Sequence, residues 1–267
     1  MVRGALVALV AAALLAGCGS SPARVTTPKL LRQFAILFPE GFTRAQMAAR
    51  VAAVAKIAKG EIHHPVRISE RAYLAATRPH TIPGFGAKAL QMEGFLFPNT
   101  YDFDKKSTSA FLVQEQLQTF QSEWRKVDLS YARSKNLTPY DVLKIASMIQ
   151  GESGVPGDDK LVAAVIYNRL HLGMTLGIDA TLRYGLHLAP GAAITQSELQ
   201  SDSPYNTRKY PGLPPTPIDN PGSAAIEAAA HPAHVNYLYY LKIPNSKRSY
   251  FTASYQDFLN HEAQYGY

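Results

Sequence analysis

The chain reads as an α+β protein made mostly of capped helices, with short strands near both ends of its folded part. Three observations carry that reading. Residues 33–77 alternate strand, turn, helix, strand and short helix, a compact α+β unit. Residues 109–172 hold three helices with apolar stripes, and residues 236–243 are β-formers throughout. At 267 residues and a formal net charge of +7 there is enough chain for one large domain, or a small one beside a larger one. The basic balance favours an anionic lipid surface or an anionic polymer as partner. No basic run has a nucleic-acid-binding pattern, so nucleic acid is not expected.

Residues 1–17 carry Arg3 and then an apolar run from Ala5 to Ala16, the pattern of an export signal. The run is too short for a bilayer, which takes about 20 apolar residues. It ends in Leu15-Ala16-Gly17-Cys18, which resembles the lipobox of bacterial lipoproteins, in which the cysteine is lipidated and becomes the new N-terminus. Cys18 is therefore the expected lipidation site. As the single cysteine it leaves no thiol for a disulfide or a nucleophile. Residues 18–30, rich in Gly, Ser, Thr and Pro, read as a lipidated tether that keeps the folded part close to the membrane.

Within residues 31–87 a strand is expected at 33–38, followed by a turn at Pro39-Glu40-Gly41-Phe42. Thr43 then caps a helix that runs through Lys59 and closes at Gly60. A second strand is expected at 65–68 and a short helix at 70–77. Pro83, Gly84 and Gly86 place a subdomain boundary at residue 87, with a larger domain over 88–267. Residues 92–101 are dense in aromatics and turn formers, and Glu93 and Tyr101 there either line a sugar site or close a core with a satisfied hydrogen bond, the structural reading being the preferred one. The helix at 109–127 takes Phe111, Leu112, Leu117, Phe120 and Trp124 as its core face.

Residues 138–152 hold the chemical candidate. Thr138 caps a helix with Pro139 in first position, and Asp141 completes a Thr-x-x-acid box. Val142, Ile145, Ala146 and Ile149 follow at the spacing of one apolar stripe, and Glu152 falls on that same stripe. Partial burial and the negative end of the helix dipole both raise a carboxyl's pKa. A Glu so placed tends to keep the proton that general acid catalysis near neutral pH needs, the alternative being a fraying helix end with Glu152 turned to solvent or capping Gly154. Gln150 points elsewhere.

Beyond it, Asp158 is the expected cap of a helix from Asp159 to Leu172, stopped by Gly173, with Asn168 near its end. Residues 174–184 read as a short strand with a loop containing Asp179. The proline-rich stretch 212–222 suits the wall of an extended groove and leads into a helix at 223–230. The strand at 236–243 pairs with 248–252.

In order, Glu93-Gly94-Phe95-Leu96-Phe97-Pro98-Asn99-Thr100-Tyr101, residues 145–152, Asn168-Arg169-Leu170 with Gly173-Met174, Ser203-Pro204-Tyr205-Asn206-Thr207 and the 212–222 loop resemble the endolytic murein transglycosylases, the YceG-like family. Residues 38–43 look like the opening of a LysM-like subdomain. The resemblance implies a small LysM-like α+β subdomain before a larger mixed helix/strand YceG-like catalytic domain. It also implies a membrane-proximal lyase that cuts nascent peptidoglycan strands internally, with peptidoglycan synthases as candidate partners; the lipobox at Cys18 would anchor it by lipid at the extracytoplasmic face of the cell membrane. It maps the catalytic acid onto Glu152 and points to Asn168, Asp179, Tyr184, Tyr205 and Asn206 for substrate binding. No cofactor is implied.

The chain also departs from the family's habit. Gln150 stands where many members carry a second Glu, and Gly177 where a glutamine is common. The lipobox replaces a transmembrane anchor, and Asp257-Phe258 an acid-His pair. Two other motifs are weaker. Ser153 lies in a Gly-x-Ser-x-like string but follows a helix, with no motif for its His and Asp. His63-His64 and His231-x-x-His234 lack a third ligand, so no metal site is expected.

Overall fold

Phe34, Ile36 and Phe38 point toward the core while Ala35 and Leu37 face out, the period of two that makes a half-buried strand. The structure, a computed structural model, describes residues 33–152, 157–189 and 191–266. The export signal, Cys18 and the tether fall on residues 1–32, outside the described residues, as do residues 153–156 with Ser153.

Strand β1 (Phe34–Leu37) is followed by helix α1 (Arg44–Ile62), helix α2 (Glu70–Ala76) and strand β2 (Thr100–Phe103). β1 and β2 pair antiparallel, Phe34 opposite Phe103 and Leu37 opposite Thr100. The strand expected at 65–68 is only an isolated bridge between Arg67 and Thr108, next to a proline that has no N–H for a ladder. The partner of β1 is thus β2, on the far side of residue 87. Thr43 and Gln46 form the reciprocal capping box of α1. α1 continues past Gly60 to Ile62 because the left-handed residue that stops it is His63, φ 54°.

Helix α3 (Ser109–Trp124) buries Leu112, Val113, Gln116 and Phe120. Phe111, expected in the core, is 40% exposed, since one step along a helix turns a side chain by about 100° from Leu112. The short helix α4 (Ser130–Ser134) leads to α5 (Pro139–Glu152) and α6 (Asp159–His171). α7 (Asp179–Gly185) stands where a strand was expected. Its buried positions Ile178, Thr181 and Leu182 recur every three to four residues, and the Thr181 hydroxyl donates to the Ile178 carbonyl. After α8 (Gln196–Leu199) and α9 (Ser223–Ala230), β3 (Tyr239–Lys242) pairs antiparallel with β4 (Ser249–Thr252), and α10 (Tyr255–Tyr265) closes the chain.

α5 packs on α9, α6 and α7 and is buried on more than its one stripe, since Leu143, Ser147 and Met148 are also inaccessible. Around it the segment at 92–97 and the proline loop interlock. The Asn220 side chain accepts from the Gly94 and Leu96 N–H groups and donates to the Phe42 carbonyl and to Glu93 Oε1. Gly94, at φ +90°, lies so close to the loop that a Cβ would sit 2.7 Å from the Pro217 ring. The Phe95 ring meets Phe85, Phe120 and Tyr140 at 4.9, 5.1 and 6.0 Å, tying this segment to α3 and α5. No helix among the described residues is long and apolar enough to cross a membrane.

Candidate active site

Three elements bring Glu152 to its position. The first is the start of α5, where the Asp141 N–H donates to the Thr138 hydroxyl and the Thr138 N–H donates to the Asp141 carboxylate, so both ends of the capping box are made. The second is the proline loop. The Ile218 N–H donates to Ser147 Oγ at 3.0 Å, and the Gly222 N–H donates to Gln150 Oε1 at 3.0 Å. Gln150 therefore anchors α5 to the start of α9. The third is β3, whose Tyr240 hydroxyl donates to Glu152 Oε2 at 3.2 Å.

Glu152 itself is half-buried. Burial pushes its pKa up and so does the Asp179 charge, while the Tyr240 hydrogen bond, Lys242 and the Ala180 N–H pull it back. Burial dominates, and the carboxyl is held above its ordinary value. Tyr240, half-buried and next to this acid, is raised far above the usual tyrosine range and stays a donor.

Glu152 opens into a cleft of about 890 Å³. Tyr239, Tyr255 and Phe258 form an aromatic group along it, with ring centroids 5.4 Å (Tyr239 to Tyr255) and 5.5 Å (Tyr239 to Phe258) apart. Tyr255 is 57% exposed, which leaves a ring free for a ligand. The cleft also holds Arg169, Arg183, Arg208 and Lys242 against Asp179 and Glu262.

Of the residues expected to bind substrate, only Asp179 shares this cleft with Glu152. Its carboxylate accepts from Arg208 Nε at 2.6 Å. Asn168 lies one residue from Arg169 but donates to the Val235 and Tyr237 carbonyls, and it lines a separate depression of about 600 Å³ with Tyr131, Tyr167 and His234. Tyr184 donates to Glu93 and Tyr205 bonds Thr216. The buried Asn206 donates to the Leu199 and Ser201 carbonyls. Asp158 stands at the N-cap of α6, as expected, with its carbonyl accepting from the Val162 N–H, but its carboxylate caps nothing in the helix and instead accepts from the Ser249 N–H at 2.7 Å, tying α6 to β4.

A model of the YceG-like family matches residues 14–264. The chain belongs to the YceG-like family. A Bacillus subtilis protein named endolytic murein transglycosylase is 32% identical over 230 residues, 80% of this chain and 60% of that one. One of the same name from Streptococcus pneumoniae is 30% identical over 242 residues, 83% of this chain and 43% of that one. The chain thus spans about half the length of the curated relatives it matches. A crystal structure of a yceG-like protein from Listeria monocytogenes superposes with a TM-score of 0.68 at 28% identity, covering 85% of this chain and 75% of that one. The mixed helix/strand architecture is therefore that of YceG-like proteins.

This YceG-like chain has a second raised acid. Glu93 is buried, and its pKa is pushed up to about 7 by that burial, against hydrogen bonds from the Arg44 N–H, the Tyr184 hydroxyl and the Asn220 amide. The buried Asp219 is also pushed well above its ordinary pKa by burial and by the Glu93 charge, and its Oδ1 has no hydrogen-bond partner among the described residues.

Sequence reading passed over Tyr240, Arg183, Arg208 and the aromatics of α10. Tyr240 and Tyr239 lie in a strand legible as a strand, but only the fold aims that strand at Glu152. Gly177 is at φ +68°, its N–H donates to the Thr207 carbonyl, and a Cβ there would come within 3.2 Å of Arg169 Nη1. A side chain at this point would therefore press on Arg169, which the glycine leaves in place.

Proposed function

We propose that this YceG-like protein is an endolytic peptidoglycan lytic transglycosylase that cleaves the β-1,4 bond between N-acetylmuramic acid and N-acetylglucosamine. Glu152 protonates the leaving oxygen. As carboxylate it then takes the proton of the muramyl 6-hydroxyl while that oxygen attacks C1, forming a 1,6-anhydro end. The nucleophile is part of the substrate, so the attack has the advantage of an intramolecular reaction. The single observation that carries the reading is a half-buried Glu held above its ordinary pKa in the lining of an open cleft. The names of the relatives agree with it.

In this reading Tyr240 orients the carboxyl, and sugar rings stack on Tyr239 and Tyr255. The βααβ order of β1, α1, α2 and β2 supports a LysM-like unit that reaches past the expected boundary at residue 87 to close on β2. Cys18 is the lipidation site after cleavage at residue 17, residues 18–30 are the tether, and the enzyme acts at the extracytoplasmic face of the cell membrane beside peptidoglycan synthases.

Asp179 favours a second reading. It lies in the same cleft as Glu152, and a hydrolase of lysozyme type uses a second carboxylate. Mass analysis of glycan digested by the purified protein separates the two. Anhydro ends are expected, whereas reducing muramic ends carrying solvent oxygen establish the hydrolase. Cleavage left unchanged by Glu152→Gln refutes the site in both readings.

A further inference from the structure

The cationic side chains of the cleft are not all used by the fold. Arg169 is: its Nε donates to the Leu238 carbonyl and its Nη1 to the Thr175 and Leu176 carbonyls, and its guanidinium lies 5.3 Å from the Tyr239 ring centroid. Arg183 and Arg208 differ. Arg183 gives Nε to the Ala192 carbonyl at 3.1 Å, and Arg208 gives Nε to Asp179. Among the described residues neither makes a further hydrogen bond through its terminal nitrogens, and the Arg208 side chain is 47% exposed. Both project from α7 and the turn after Asn206 into the space that Glu152 faces. The cleft carries four basic groups against three acidic ones, one of which is the half-buried Glu152. Low-dielectric walls focus such an excess on whatever enters.

A neutral polymer of N-acetylated sugars offers these donors hydroxyl and acetamido oxygens but no charge to match the excess. Planar forks with open terminal nitrogens fit carboxylates, which accept two parallel hydrogen bonds. Resting on the proposed glycan cleavage, we infer that Arg183 and Arg208 form a carboxylate-binding subsite. It selects glycan whose muramyl units carry acidic substituents over glycan without them. Asp179 holds the Arg208 fork by Nε and so presents its terminal edge to the ligand. Two sources of carboxylate exist on such strands, the peptide attached to the muramyl lactyl group and the lactyl group itself once the peptide is removed.

The experiment uses the full chain carrying Glu152→Gln, so that ligands are not consumed, and calorimetric titration with four tetrasaccharides. One carries peptides with free carboxylates, one the same peptides amidated, one only free lactyl carboxylates, and one is the N-acetylglucosamine oligomer. The free-carboxylate peptide form is expected to bind about tenfold more tightly than its amidated twin, and raising the salt is expected to shrink that ratio. Adding Arg183→Gln or Arg208→Gln is expected to cut the ratio several-fold, and Arg208→Lys less. A preference for the lactyl form assigns the subsite to the glycan's own carboxylate instead of the peptide's. Equal affinity of all four ligands overturns the subsite and leaves the glycan reading standing. No binding of any of them overturns both.

Discussion

Glu152 and Glu93 are two glutamates that burial has pushed upward, and the fold gives them opposite surroundings. Glu93 is enclosed, with the Arg44 N–H, the Tyr184 hydroxyl and the Asn220 amide donating to its two oxygens. Glu152 has the Tyr240 hydroxyl and the Ala180 N–H and then an open cleft. The first joins α1, α7 and the proline loop; the second faces open space. A raised pKa is thus a poor marker of catalysis until access is added to it.

The comparison is tested most severely at Glu152. Glu152→Gln is expected to lower kcat by roughly 10²–10⁴-fold with the melting temperature unchanged or higher, read by glycan turnover and thermal unfolding. Glu93→Ala should do the reverse in kind. Three donors lose their acceptor in the interior, and about 3 kcal/mol of stability is expected to go, measurable by denaturant unfolding. An unfolding free energy unchanged in that variant would break the contrast.

Glu93 also sets a pH dependence. Between its ordinary value of 4.5 and about 7 the folded chain keeps a proton that the unfolded chain has released. Stability is therefore full below pH 4.5, falls as pH rises to about 7 and then levels. The fall is on the order of 3 kcal/mol if Glu93 acts alone, and Asp219 beside it adds in the same direction. Glu93→Gln should flatten the profile of unfolding free energy over that range. The smallest effects are a pair of opposite sign. Tyr240 favours the charged form of Glu152 and Asp179 disfavours it. Tyr240→Phe should move the alkaline limb of kcat/KM to higher pH and Asp179→Asn to lower pH, each with a rate change of about tenfold at most. Shifts in the same direction would show that the limb belongs to another group.

How far a residue's role could be foreseen depended on how local its cause was. The α5 box at Thr138 and Asp141 and the placement of Glu152 on the apolar stripe need only a helical period and neighbours three or four residues away. The antiparallel pair β3–β4 was equally legible, since only a short connection separates two runs of β-formers. Other elements depended on distant partners. β1 has its partner across more than sixty residues, and α7 is a helix because its buried positions meet the turn at Thr207. The substrate-binding expectations diverge for the same reason. Tyr205 and Asn206 stand in a motif, yet their polar atoms are turned to Thr216 and to the Leu199 and Ser201 carbonyls. Motif membership does not say whether a polar group faces a ligand or a carbonyl.

Local chemistry therefore settled which residues cap and line the helices, and which acid sits where a helix meets the core, because caps and periodicity act over a single turn. Tertiary structure decided the rest. It set Tyr240 against Glu152 and brought Arg183 and Arg208 into the same space. It also sealed Glu93 beneath Asn220 and turned Asn168 toward the backbone before β3. Each of these depends on which surfaces pack together, a property of the whole core that no run of neighbouring residues contains.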